Sequence, residues 1–194
     1  MKGRKIAMGR LFLVRHAKPL IDPTRHPSEW DLDPAGEPLL DQFAGLPHWA
    51  SAHRIVSSRE PKAFKTADRI ARRHHLPPPE TVSALGELHK GSLVPNHAEV
   101  VARLFRFPDE PAADGWETAS AALARFADAV SRLIQSAQGR DLIVVSHGIV
   151  LSLYLSRLRG ESRVDPAAWA RIRMPDYCVV DTTTLRLVQP FGAW

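Results

Sequence analysis

Two hydrophobic rhythms alternate along the chain. Short apolar runs, Leu11–Val14 and Asp141–Ser146, have the look of strands buried on both faces, and Arg54–Ser57 is a third of the same kind. Between them, apolar residues recur every three to four positions. Ala63, Ala67, Ile70 and Ala71 share one face of a helix that starts near Pro61, with Ser58 placed to cap it, and ends at Pro77–Pro79. The longest periodic stretch, Thr118–Gln138, carries Ala119, Ala122, Leu123, Phe126, Val130, Leu133, Ile134 and Ala137, and Gly139 stops it. A short helix near Leu39–Leu46, one over Asn96–Phe107 and one from Gly148 to Leu158 complete the helical set. Thr81–Leu85 is expected as another strand, and Tyr177–Thr182 and Leu185–Val188 as one or two late ones.

Strands separated by helix patterns predict an α/β fold: a three-layer sandwich with a mostly parallel central sheet flanked by helices. Lys18–Pro38, with Pro19, Pro23, Pro27, Pro34 and Pro38, is predicted as loop. Residues 1–9 are expected to be a disordered basic extension. Residues 10–194 then form a single domain with a small loop and helix cap around 96–116.

Composition narrows the class. Of 194 residues, 44% are hydrophobic and 24% charged, enough for a core and unlike a disordered chain. No apolar run approaches a membrane span, and Leu11–Val14 is followed at once by Arg15 and His16, too short for a signal peptide. The single cysteine, Cys178, excludes an internal disulfide framework. The expectation is a cytoplasmic protein. A net charge of +5 favours an anionic partner. Basic residues are scattered without aromatic interleaving, which argues against nucleic acid and for a phosphorylated small molecule. The oligomeric state is open, a dimer among the options.

Two histidines follow strands. His16 comes after Leu11–Val14, and His147 after Asp141–Ser146, so both lie at carboxyl ends of parallel strands, where such sheets bind ligands. Gly148 opens a helix whose first N–H groups suit an anion. Lys62 lies in the first turn of another helix after a strand. Arg15, His16, Lys62 and His147 should therefore converge. An arginine and a lysine can neutralise a phosphoryl group, and a neutral imidazole can attack phosphorus to give a phosphohistidine. A carboxyl group must then serve the leaving oxygen and the incoming water, and Glu87 is placed for it.

These residues fall in ordered blocks. They are Leu13-Val14-Arg15-His16-Ala17, Ser57-Ser58-Arg59-Glu60-Pro61-Lys62-Ala63-Phe64-Lys65-Thr66-Ala67, Leu85-Gly86-Glu87-Leu88-His89-Lys90-Gly91, Gly115-Trp116-Glu117-Thr118 and Val145-Ser146-His147-Gly148. In order, spacing and strand context the chain resembles the histidine phosphatase superfamily, the phosphoglycerate mutase-like proteins. It departs in Ala17, where the family has Gly, and in Lys62, where it has Arg. Lysine keeps the charge but loses the bidentate fork.

The resemblance implies a phosphoglycerate mutase-like fold and a phosphomonoesterase acting through His16, one ring nitrogen attacking while the other is held by a backbone carbonyl. Arg15, Lys62, His147 and the Gly148 amide would line the phosphate pocket, and Glu87 would be acid and then base, without metal or organic cofactor. Phosphate or sulfate could occupy such a pocket. The alternatives are mutase-type phosphotransfer and a phosphate-binding protein with little turnover.

Other residues have plainer expectations. His26, His48, His53 and His97 are expected in loops or on the surface, and Trp116 in packing. Glu117 should cap or pack at the start of the long helix. His89 is a candidate for the pocket mouth, and Lys18, two residues past His16, for contact with the substrate. His74-His75 lacks partners at metal-ligand spacing.

Overall fold

Residue alternation along β1 (Arg10–Arg15) and β4 (Leu142–Ser146) divides the core in two. Leu11, Leu13, Leu142 and Val144 point to one face of the sheet, Phe12, Val14, Ile143 and Val145 to the other. The first face is covered by α3 (His97–Arg106), α4 (Ala119–Ala137) and α5 (Gly148–Leu158). The second is covered by α1 (Glu37–Ala44), α2 (Pro61–Arg73) and the short 3-10 turn Pro47–Ser51, which buries Trp49. Burying each large apolar side chain contributes about 1.5–3 kcal/mol, so both faces need their helices. This computed structural model describes residues 9–91 and 93–194.

The sheet has six strands in the order β3-β2-β4-β1-β5-β6. β1, β2 (Arg54–Ser57), β3 (Glu80–Thr81) and β4 run parallel; β5 (Asp176–Asp181) is antiparallel to β1, and β6 (Leu187–Gln189) to β5. The mixed α/β three-layer architecture is the one the periodicities predict. α6 (Pro166–Arg171), capped by Asp165, lies in a stretch that shows no clear period.

Several local expectations change. β3 covers only two residues before the chain turns into a 3-10 helix at Ser83–Leu85. Ser58 does not cap α2; the N-cap position is Glu60, without a side-chain cap bond, and the Ser58 hydroxyl turns to His147 instead. α4 ends at Gln138 in the left-handed region (φ 53°), with Gly139 also at positive φ (77°). The basic residues ahead of Met8 lie outside the described residues. Gly9, assigned to the same extension, is buried and its carbonyl accepts from Thr182 N at 3.0 Å and Oγ1 at 2.9 Å. A side chain there would meet the Gly139 backbone at 2.7 Å. No helix among the described residues is long and apolar enough to cross a membrane.

Candidate active site

The carboxyl ends of β1, β2 and β4 carry the residues singled out from sequence. The backbone joins these ends directly: His16 N donates to Ser146 O at 3.0 Å and Ser58 N to Val145 O at 3.1 Å. Thr66, on α2, accepts from Ala17 N at 3.0 Å and donates to Lys62 O at 2.7 Å, tying the turn after β1 to the helix that carries Lys62. A cavity of about 800 Å³ opens over this edge, within the range of small-molecule sites. Arg15, His16, Lys62, Glu87 and His147 all line it.

His16 is buried, and its Nδ1 lies 2.7 Å from the Ala17 carbonyl. A carbonyl only accepts, so Nδ1 carries the proton and Nε2 keeps its lone pair. Burial first, then the nearness of His147 and the charge of Lys62, hold the ring well below the usual imidazole pKa. It is therefore uncharged at neutral pH. The two imidazoles meet edge to face, centroids 5.0 Å apart.

His147 is fully buried, with Nε2 at 2.7 Å from Ser58 Oγ and 3.2 Å from Glu60 Oε1. Its pKa falls to about 3, mainly through burial, against the raising effect of Glu87. Nδ1 of His147 and Nε of Arg15 are buried with no hydrogen-bond partner among the described residues. Such atoms are rare unless a ligand or water meets them. The Arg15 guanidinium donates to the Ile172 carbonyl and lies against Gly148. A Cβ at Gly148 would stand 3.0–3.1 Å from Arg15 Cζ, Nε and Nη2, so the glycine makes room for the arginine.

The two amides that follow Gly148 at the start of α5 are taken by a side chain of the protein. Glu87 Oε2 accepts from Ile149 N at 3.1 Å, and Oε1 from Val150 N at 3.2 Å and Leu88 N at 3.0 Å. The Glu87 side chain thus sits over the amino end of α5 and meets its first amides. Arg125, from α4, fixes the loop behind it by donating to the carbonyls of Ala84 (2.9 Å), Gly86 (2.9 Å) and Glu87 (2.8 Å). Glu117 orients Arg125 through a 2.8 Å ion pair and accepts from His89 N; Thr118, not Glu117, is the N-cap of α4.

Lys62 is not a free cation. Its ammonium lies 2.5 Å from Glu60 Oε2 and 2.6 Å from the Pro27 carbonyl. Glu60 Oε1 also accepts from Glu87 N at 2.8 Å, so one carboxylate links Lys62, His147 and the Glu87 loop. Glu60, Arg125 and Lys90 escape the sequence reading. Glu60 falls inside the second block two positions before Lys62, and Lys90 inside the third; that adjacency is their only signal.

Among the remaining histidines, His26 and His97 line the cavity rather than the open surface. His97 is half-buried, its pKa pushed to about 4 by burial and then by Lys90. His48 stacks among Phe12, Trp49 and Tyr177, and burial lowers it to about 4. His53 remains at the surface. His89 and Lys18 line the cavity mouth, exposed, with Lys18 paired to Asp33 at 2.9 Å. Trp116 is buried in the core. His74 Nε2 is 2.8 Å from Ala44 O, and among the described residues no group of His, Cys, Asp and Glu is arranged to hold a metal ion.

The fold recurs in solved proteins. A mycobacterial glucosyl-3-phosphoglycerate phosphatase with inorganic phosphate superposes with a TM-score of 0.71 at 21% identity, covering 96% of each chain. A phosphoserine phosphatase mutant from Entamoeba histolytica, complexed with phosphoserine, gives 0.70 at 16% over 96% of this chain and 98% of that one. A phosphoglycerate mutase from Bacillus anthracis gives 0.70 at 15% over 97% and 95%. At these identities the likeness shows the fold alone. No curated protein matches in sequence. The family description "Histidine phosphatase superfamily (branch 1)" matches residues 11–186, and the chain belongs to that superfamily.

Proposed function

We propose that the protein is a metal-independent phosphomonoesterase that works through a phosphohistidine on His16. One observation carries the reading: the Ala17 carbonyl holds the proton on Nδ1, which leaves an uncharged Nε2 as nucleophile between Arg15 and His147. Nε2 attacks phosphorus as the ester P–O bond breaks, and the leaving oxygen takes a proton from Glu87. Water then attacks phosphorus and gives a proton back to Glu87, the P–N bond breaks, and inorganic phosphate leaves. Oε2 of Glu87 accepts a single amide, which leaves it a position for the proton.

Arg15 and Lys62 neutralise the phosphoryl oxygens, and the orphaned Nε–H of Arg15 is a donor suited to them. Lys62 must leave Glu60 to do so. The substrate is a phosphorylated small molecule or protein side chain, and the reaction is placed in the cytoplasm. Phosphatase and mutase relatives both support phosphoryl transfer.

The test is hydrolysis of p-nitrophenyl phosphate in EDTA, with acid-quench trapping of labelled enzyme. Turnover with an acid-labile label that His16→Ala abolishes is expected. A label without hydrolysis would indicate mutase-type transfer. Activity that EDTA removes, or that survives His16→Ala, would overturn the mechanism.

A further inference from the structure

A second cavity, of about 530 Å³, opens between α5, α6 and the chain that follows β6. Its size also suits a small molecule, and it shares a single lining residue, Trp169, with the catalytic cavity. Two polar groups on its wall are buried with no hydrogen-bond partner among the described residues: the Ser156 hydroxyl, on a residue 6% exposed, and the Trp169 indole N–H. A serine inside a helix ordinarily returns its hydroxyl to the carbonyl four residues back. Ser152 does so, donating to Gly148 O at 2.8 Å; Ser156 does not. Buried polar groups are nearly always satisfied, so these two mark what a ligand would meet.

Charge and apolar surface complete the wall. Arg159 faces Glu161 at 3.6 Å and Arg171 faces Asp165 at 3.9 Å. Arg163 lines the cavity with no carboxylate in ion-pair distance among the described residues. Leu155 and Phe191 supply apolar area.

The cavity also touches Arg15 from two sides. Ile172, at the end of α6, lines it, and the Ile172 carbonyl accepts from the Arg15 guanidinium. Ser152 lines it too and holds the carbonyl of Gly148, the residue against which Arg15 lies. No residue of α6 is wholly buried, so little packing fixes that helix. A ligand gripping α6 and α5 together would pin Ile172 and, through it, Arg15.

We propose that this cavity is a second ligand site, for a small aromatic carboxylic acid bearing a hydroxyl or keto oxygen, and that its occupancy tightens the hold of Arg15 on phosphate. One unpaired guanidinium matches a carboxylate through its fork, and a phosphate dianion needs more positive charge than Arg163 alone supplies. The oxygen accepts from Ser156 and Trp169, and the ring lies against Leu155 and Phe191. Preorganising Arg15 lowers the cost of binding phosphate, and the coupling is reciprocal. The coupling rests on the phosphoryl role given to Arg15; the site does not.

Calorimetry with p-hydroxybenzoate, p-hydroxyphenylpyruvate and the uncharged p-hydroxybenzamide tests the site. An acid should bind about tenfold tighter than the amide, and Arg163→Gln should remove that advantage. Ser156→Ala should weaken the acid severalfold without lowering the melting temperature of the empty protein, because its hydroxyl has no partner there to lose. Binding of neither acid, or binding that both variants leave unchanged, would overturn the site. For the coupling, the acid should lower KM for p-nitrophenyl phosphate about fivefold in wild type and leave it unchanged in Arg163→Gln. A KM that stays level or rises, as competition at the catalytic cavity would make it, overturns the coupling. If wild type hydrolyses nothing, the phosphatase reading fails, and the same shift is sought in the Kd of inorganic phosphate.

Discussion

Glu60 and Lys62 form an ion pair inside the cavity, Nζ to Oε2 at 2.5 Å, with both side chains largely buried. The lysine that stands in the family's arginine position is thus neutralised by its own helix start. Phosphate must compete with Glu60 for it. Glu60→Gln keeps an acceptor for Glu87 N but removes the competing charge. Inhibition by inorganic phosphate should tighten about tenfold, the size of one charge interaction of ~1.4 kcal/mol. Free of ligand, the variant should lose ~3 kcal/mol through the unpaired lysine and regain it with phosphate, read as a larger thermal shift than wild type. An unchanged inhibition constant would mean that Lys62 does not reach the phosphoryl group.

Gly148 tests the position of Arg15. Its need for glycine comes from space, because a Cβ would stand 3.0–3.1 Å from the guanidinium. Gly148→Ala should push Arg15 aside, raise KM for p-nitrophenyl phosphate about tenfold and cost about 1 kcal/mol of stability. Wild-type kinetics in this variant would show that Arg15 acts from another position.

The strands and long helices were legible because each is settled by local period. β1, β4 and α4 have one apolar rhythm and one packing solution. The convergence of Arg15, His16, Lys62 and His147 on one cavity followed from strand ends alone. What escaped is tertiary. Nothing local distinguishes Glu60 from a solvated helix-start carboxylate, or shows that Glu87 would take the Ile149 and Val150 amides. Val82 suits a strand by its residue type, while the edge of the sheet supports only Glu80 and Thr81 there. The burial of His48 and His97 leaves no mark in the sequence, because a single polar residue carries no period.

Arg125 acts through the Glu87 loop. Its guanidinium satisfies the carbonyls of Ala84, Gly86 and Glu87 and the Glu117 carboxylate together. Arg125→Met leaves them without a donor and should cost about 2–3 kcal/mol. It should also lower kcat more than it raises KM, because the proton carrier moves while Arg15 stays. Equal changes in both, or none in kcat, would make Arg125 a purely structural residue. Arg125→Lys should recover stability only in part, since an ammonium lacks the planar fork.

Buried neutral imidazoles set the acid limit of the fold. His16 and His147 lie far below the unfolded value near 6.5, His147 at about 3, both chiefly through burial. Between the folded and unfolded values the unfolded chain binds more protons, so unfolding gains as pH falls. Stability should be level above about pH 7, then decline from about pH 6.5 toward 4, each of the two rings contributing about 1.4 kcal/mol per pH unit. His48 and His97, both near 4, act in the same direction with more solvent screening. Urea unfolding at pH 8, 6 and 5 reads the slope, and His147→Asn should flatten it. A free energy unchanged from pH 7 to 5 would mean that these rings take up protons in the folded protein as readily as in the unfolded chain, against the burial of both.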